Sequence, residues 1–521
     1  MPKATKPVAA KNAPAKKVAG KVSTAAASTN AASTFVAPRS PKAYRARVRM
    51  YRHGLGDCFL LTLPRKGAAP FNMLIDCGAL ARDQASMTRV VEHIRGSVLH
   101  SAARRRPANG KALLDVVVGT HEHKDHISGF NQARAVFNDG FDFGAVWLAW
   151  TENLSEPAIR KIKETRKKAR NTLLQVLGAN PAACPAALTG LNEVLAFGAD
   201  DDSVGDRTVA QAMDYLKQRG KDAGDLRFLK PGGAPFELDG VDGVRVYVLG
   251  PPLDPLLLKT SAVTEQMKRD HTIFHLGATG DLGLETLAAA FANSSDDAAR
   301  KCRPFADEHC IPRRLPATAG SQPATNPLFN TFMGGAATAY DDPQAAWRRV
   351  DEDWLRAFGQ LGLDLDNDTN NTSLVLAFEF TATEEVLLFV ADAQVGSWLS
   401  WADLSFKLPG SSSPLPAHDL LRRTVFYKVG HHCSHNATLD VGGLALMTSD
   451  KLTAFIALDK ETAKNQGSSG GWEMPAPALF TALGKSAQQR VVISDVKEQV
   501  SAAADAAGVR STSVFIDYFL K

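Results

Sequence analysis

The chain has 521 residues, 45% of them hydrophobic and 22% charged, ordinary globular usage that excludes a wholly disordered or collagen-like protein. No run approaches the roughly eighteen apolar residues of a membrane-spanning helix, the N-terminus lacks the apolar stretch of a secretory signal, and the six cysteines contain no CxxC pair, so a reducing, cytoplasmic setting is expected. The net charge of +5 divides unevenly, because residues 1–56 hold twelve Lys or Arg and no Asp or Glu, which leaves −7 on the remainder.

Residues 1–42 are built mainly from Ala, Lys, Pro, Ser and Thr and carry too little apolar surface to offset the entropy of ordering, so a disordered basic tail is expected. Lysines at this density suit a polyanion through counterion release, although a purely solubilising extension has the same composition. Residues 43–521 are expected to fold as one α/β domain. It opens on the alternating AYRARVRMY and on the apolar runs DCFLLTLP and FNMLIDCGA, which predict three consecutive strands. Met87, Val90, Val91 and Ile94 share a helical stripe, after which LLDVVVG at 113–119 and AVWLAW at 145–150 read as strands. Peripheral helices are predicted from Glu156 to Leu177 and from Thr208 to Arg219, and VRVYVLGPP at 244–252 predicts a strand ended by Gly-Pro-Pro. A surface insertion is expected at about 255–345, where Ala, Gly, Pro and Ser dominate without periodicity. After the helix-like AAWRRVDEDWLRAFGQL, strands are predicted at TSLVLAFEF, EVLLFVAD, TVFYKVG, LTAFIAL, RVVISD and SVFIDYFL. Two strand-rich halves with helices between them suit a layered αββα sandwich whose loops meet along one edge.

The chemistry concentrates on Thr120-His121-Glu122-His123-Lys124-Asp125-His126, directly after the strand at 113–119. It reads HxHxDH. Neutral imidazoles with a carboxylate suit zinc, manganese or iron, and a loop after a strand can aim His121 and His123 at one ion and Asp125 and His126 at a second. A water activated between the ions would be the nucleophile. Asp392 closes VLLFVAD, where a carboxylate is either a ligand or a helix N-cap. Of His431 and His432, which follow the next strand, one is expected to face the metal and the other to touch substrate; His432 is preferred as the ligand. His435 and Ser434 are candidate donors to the substrate. Asp57 and Asp76, each beside a Gly, can steady a ligand His through its second nitrogen or serve ordinary turns, and Asp76 is preferred for that supporting role. Trp398, Trp401 and Trp472 are read as packing rather than as a stacking platform.

In this order these residues resemble the metallo-β-lactamase superfamily. More narrowly, GLGDCFLL, MLIDCG, NNTSLVLAF at 370–378, LLFVADAQ at 387–394 and KVGHHCSHN at 428–436 are similar to its ComEC-like DNA-uptake branch, with Cys433 where that branch usually has Gly. The resemblance runs in pieces from about residue 45 to residue 460. It implies a four-layer αβ/βα sandwich and two divalent ions, zinc first with manganese or iron as alternatives. It also implies His121, His123, Asp125, His126, Asp392 and one of His431 or His432 as ligands, with Asp392 bridging. A further His ligand, expected between the first motif and Asp392, has no obvious counterpart; His271 and His275 are stand-ins. The branch's polytopic membrane region is also missing, so a free-standing hydrolase is expected.

The leading expectation is a metal-dependent hydrolase of phosphoesters, either nucleic acid or nucleotide, in which Asp125, Asp76 and His435 serve the reaction. The alternatives are hydrolysis of a lactone, thioester or β-lactam carbonyl, and a regulatory module with a degenerate metal site.

Overall fold

The computed structural model describes residues 43–80, 84–102, 109–157, 159–167, 209–260, 327, 367–466 and 471–521. The basic tail, His271, His275, the helix expected over 345–361 and nearly all of the expected insertion lie outside them. The first half contributes β1 (Ala46–Tyr51), β2 (Cys58–Leu63), β3 (Phe71–Cys77), β4 (Ala112–Gly119), β5 (Phe141–Ala149) and β6 (Leu226–Leu229). Then come β7 (Phe236–Glu237), β8 (Val244–Gly250), β9 (Val375–Phe380), β10 (Glu385–Phe389), β11 (Ser405–Phe406) and β12 (Leu415–Pro416). The last are β13 (Thr424–Lys428), β14 (Thr453–Ile456), β15 (Val491–Ile493), β16 (Arg510–Ser511) and β17 (Phe515–Leu520). The helices that bear on the site are α1 (Gln84–Ser101), α2 (Lys124–Gln132), α3 (Arg134–Gly140), α4 (Val209–Ala223) and α5 (Val395–Ser400).

The chain is α/β with two mixed sheets, ordered β16-β17-β1-β2-β3-β4-β5-β6 and β15-β14-β13-β10-β9-β8-β7, and a small β11-β12 ribbon. Each large sheet has an antiparallel part and a parallel part. Parallel pairing joins β3 to β4, β5 and β6 in the first, and β10 to β13, β14 and β15 in the second. Open parallel strands leave a crevice beyond their carboxyl ends, where ligands bind.

The period-2 pattern sorts side chains between faces. Phe59, Leu61 and Leu63 of β2 join Leu376, Phe378 and Phe380 of β9 in one core shared by both sheets. Leu60 and Leu74 turn the other way, into a second core with Met87, Val91 and Ile94 of α1 and Ala212, Met213 and Leu216 of α4. The opposite face of the second sheet packs Val375, Ala377, Leu388 and Tyr427 against Trp398 and Trp401. These two indoles are fully buried with ring centroids 4.3 Å apart, and each N–H donates to a backbone carbonyl, of Ala437 (3.0 Å) and Leu249 (2.9 Å). They are core residues.

The structure departs from the sequence pattern in several places. Asp125 and His126, expected on a loop after β4, lie in the first turn of α2, and the two-residue strands β7, β11, β12 and β16 follow no sequence pattern. β5 begins at Phe141, four residues before its apolar run, and β6 went unrecognised because LRFL is too short to show a period. It forms by pairing parallel to β5, Val146 opposite Leu226.

β17 lies between β16 and β1, so the two ends of the described chain are joined inside one sheet. A buried ion pair fastens them: Arg49 of β1 donates from Nε and Nη2 to both carboxylate oxygens of Asp517, each at 2.7 Å, with neither side chain exposed. Arg49 also donates to Ser97 Oγ (2.7 Å) and lies 3.5 Å over the Phe515 ring. Removing one partner leaves an unmatched buried charge, so Asp517→Ala should destabilise the protein by about 3–5 kcal/mol, read from urea unfolding against wild type. A loss under about 1 kcal/mol, the surface-pair range, would contradict this.

Candidate metal centre

Five parallel strands, two from the first sheet and three from the second, bring the site residues together: β3 delivers Asp76, β4 the HxHxDH segment that runs into α2, β10 Asp392, β13 His431 and His432, and β14 the Ala457 carbonyl. Two glycines allow the loops to approach. Gly56 has φ 148°, and a Cβ there would meet the Gly78 and Asp125 carbonyl oxygens at 2.3 and 2.6 Å; one on Gly78 would lie 2.4 Å from the His126 nitrogen. Backbone bonds complete this contact, Asp57 N–H to Asp125 O (2.9 Å) and Gly78 N–H to Asp57 O (3.0 Å).

Asp76 is saturated by neighbours. Its carboxylate accepts from Thr120 N–H (2.8 Å), Thr120 Oγ1 (2.7 Å) and His126 Nδ1 (2.8 Å). A carboxylate on Nδ1 fixes the His126 tautomer and turns the lone pair of Nε2 inward. His432 is arranged likewise: Nδ1 donates to Ala457 O (2.6 Å), and Nε2 lies 2.7 Å from Asp125 Oδ2. Asp392 Oδ2 is 3.0 Å from His126 Nε2 and 3.6 Å from His432 Nε2.

Asp125, His126, Asp392 and His432 thus form a buried group whose ligand atoms lie within 4.8 Å of one another, and such a group could hold a metal ion. The fit is supported by orphaned atoms. Asp125 Oδ1 and His126 Nε2 are buried without a hydrogen bond, the 3.0 Å approach of His126 Nε2 to Asp392 lacking hydrogen-bond geometry. Buried polar atoms without partners are rare in folded proteins, and two carboxylates with two imidazoles are ordinary ligands for a divalent transition metal. Asp392 is not a helix cap, since α5 is capped at Gln394.

His121 and His123 turn Nε2 and Nδ1 towards each other at 3.1 Å, close to the spacing of two nitrogens on one tetrahedral ion. Burial, with His126 beside it, holds His121 well below the usual imidazole range; burial pushes His123 down to about 4 against the pull of Asp125. Both are neutral and ligand-ready. Among the described residues no third side chain completes a group around this pair.

His431 has a different setting. Its Nδ1 meets Ser434 Oγ (2.8 Å), Asn436 Oδ1 (3.2 Å) and Gln394 Nε2 (3.3 Å), while its backbone N–H donates to Asp392 Oδ1 (3.1 Å). His431, His432 and Cys433 have φ of 42°, 50° and 66°, a left-handed turn that costs non-glycine residues about 1–2 kcal/mol each. The turn directs His432 into the cluster and His431 beside it.

Two expectations are corrected here. His435 is exposed, because Ser434 and Asn436 take the inward positions of that turn, so it is no donor at the cluster. Ser434 directs its hydroxyl to His431 and Asn436 rather than into the crevice. The charged helix after Glu156 exposes most of its described residues, as a peripheral helix does, and its Lys163 bridges Glu122 (2.7 Å) and buried Glu152 (2.6 Å). Its described part ends at residue 167.

Sequence reasoning missed Lys428 and Ser373. Lys428 is 1% exposed at the end of β13 and makes an ion pair with Asp57, a hydrogen bond to Ala391 O (2.8 Å) and a 3.5 Å contact with Asp392 Oδ1. Ser373 Oγ accepts from Asp392 N–H (3.2 Å) and touches His121 Nδ1 (3.3 Å). A lysine closing a strand that is otherwise apolar was the available signal, since a buried ammonium requires carboxylates.

No family model matches the chain, and no curated protein matches it either. The donor set itself carries the chemistry.

Its electrostatics are mutual. Burial would raise Asp392, but His126, His432 and Lys428 hold its carboxyl well below the usual range, and His126 and His432 do the same more weakly for Asp125. Burial would likewise lower the two imidazoles, and Asp392 and Asp125 instead raise His126 well above its ordinary value and His432 less. Without metal, these imidazoles stabilise the fold fully below about pH 6.5 and lose that contribution as pH rises through their raised values. Chelator-treated protein should therefore become easier to unfold with urea as pH rises above about 6.5, and stoichiometric zinc should suppress the fall. A stability that rose over that range would refute the charge pairing.

Elemental analysis of protein purified without chelator gives the direct check. Asp125→Ala or His432→Ala should lose the ion held by the four-residue group, whereas Asp76→Ala, which removes only an orienting carboxylate, should weaken zinc binding by about 10–100-fold.

Proposed function

We propose that this chain is a metallo-β-lactamase-fold hydrolase of the ComEC-like type, acting on phosphoesters, nucleic acid or nucleotide, with divalent metal, zinc first. The observation that carries this reading is the buried Asp125, His126, Asp392 and His432 group, drawn from the strand ends of both sheets. Two sheets sharing one core, with helices packed on their outer faces, suit the four-layer sandwich.

A divalent ion in such a group supplies Lewis acidity towards a phosphoryl oxygen and lowers the pKa of water. The side chains do the rest. Asp76 and the Ala457 carbonyl hold His126 and His432 in the tautomers that present Nε2. His121 and His123, both neutral, are placed to hold a second ion, for which the described residues provide a thinner shell than for the first. The eight basic residues among residues 1–42 support a polyanionic substrate by adding affinity that does not depend on its sequence.

Rates on a chromogenic phosphodiester and on single-stranded DNA, set beside those on a lactone and nitrocefin, test the substrate class. Turnover of the phosphodiesters is expected, abolished by chelation and lowered in Asp392→Ala by more than the roughly 100-fold typical of outer-sphere substitutions. Wild-type rates in Asp392→Ala would overturn the metal mechanism, and turnover of the lactone or nitrocefin alone would move the substrate to carbonyls.

A further inference from the structure

Lys428 joins carboxylates from both sheets at the site. Its ammonium reaches Asp57, on the loop between β1 and β2 of the first sheet, and Asp392, beyond β10 of the second. The side chain is 1% exposed, so water does not solvate the ammonium, and both carboxylates are equally buried. A lysine in this position is retained in charged form only by such neighbours.

The contacts divide the oxygens of Asp392. Oδ1 accepts the His431 backbone N–H (3.1 Å) and faces Lys428 Nζ (3.5 Å), while Oδ2 faces His126 Nε2 (3.0 Å) and His432 Nε2 (3.6 Å). One oxygen is engaged by the protein and one is left for the ligand group. Asp57 is held similarly: Oδ2 pairs with Lys428, and Oδ1 is buried without a hydrogen bond, within a second acidic group formed with Asp76 and His126. A divalent ion attracted to that second group would be misplaced.

We propose that Lys428 is a positioning residue that makes Asp392 a one-oxygen ligand and keeps Asp57 out of the coordination sphere. Its ammonium competes with metal for Asp392 Oδ1 and Asp57 Oδ2 and so steers the ion towards Asp125, His126 and His432. The inference rests on the metal-centre reading above and adds to it the number of oxygens each carboxylate offers.

The test loads the full chain with cobalt(II) in place of the native metal, because the intensity and position of cobalt's visible bands report coordination number. Lys428→Met should fold, take up cobalt and show weaker, shifted bands from added carboxylate oxygens. On the substrate that wild type turns over best, kcat should fall about 10–100-fold with KM little changed, the usual effect of losing an outer-sphere partner. Lys428→Arg, which keeps the cation, should recover most of the wild-type spectrum. If Lys428→Met fails to fold, the paired Lys428→Met/Asp57→Asn variant removes both charges and takes its place, with the same altered spectrum expected because Asp392 still lacks its cation. A wild-type cobalt spectrum in the folded variant, even with lowered thermal stability, would make Lys428 a structural ion pair only and overturn the inference while leaving the metal centre intact. Failure of the wild-type protein itself to bind cobalt would instead overturn both.

Discussion

Four carboxylates, those of Asp57, Asp76, Asp125 and Asp392, are withdrawn from water into one crevice, and each must meet positive charge or a donor there. That requirement organises the surroundings. Asp76 is satisfied by Thr120 and His126, Asp57 by Lys428, and Asp392 by the His431 backbone N–H and Lys428 together with the imidazoles. Asp125 and Asp57 each keep one oxygen without a hydrogen bond, the other lying on His432 in Asp125 and on Lys428 in Asp57. A cluster so nearly balanced, and short of positive charge at one point, is the electrostatic complement of a cation.

The fold supplies this balance through topology rather than through any one loop. Parallel strands from both sheets end at the same edge, so residues hundreds of positions apart reach hydrogen-bond distance; His432 and Asp125 are separated by 307 positions. The Leu374 N–H to Thr120 O bond (3.0 Å) ties the start of β9 to the HxHxDH loop and carries the register of the second sheet into the first. Glycine at 56 and 78 then lets three backbones touch where any side chain would hold them apart.

Much of this was legible in the sequence, and the failures have physical causes. The longer strands of both sheets announced themselves through alternating or continuous apolar runs, and HxHxDH stood out because four potential ligands follow a buried strand within six residues. The turn places the His432 ring in the Asp125, His126 and Asp392 group and the His431 ring beside it, and adjacent imidazoles in a left-handed turn carry no periodicity from which to deduce that placement. His435 misled for the same reason: inside and outside do not alternate in a turn as they do in a strand. Lys428, Ser373 and the Lys163 bridge are defined by partners distant in sequence, and no local pattern encodes such pairings.

The ion pair between Arg49 and Asp517 sets a schedule for biosynthesis, because its partners are 468 positions apart. At translation speeds of about 5–20 residues per second, the β1 edge waits roughly half a minute to a minute and a half for β17. Throughout that interval the nascent chain carries a basic, apolar edge strand with its hydrogen-bonding groups unpaired, the kind of surface that recruits other strands. The long-range closure that completes the finished sheet therefore leaves the β1 edge of the growing one open until the end of synthesis.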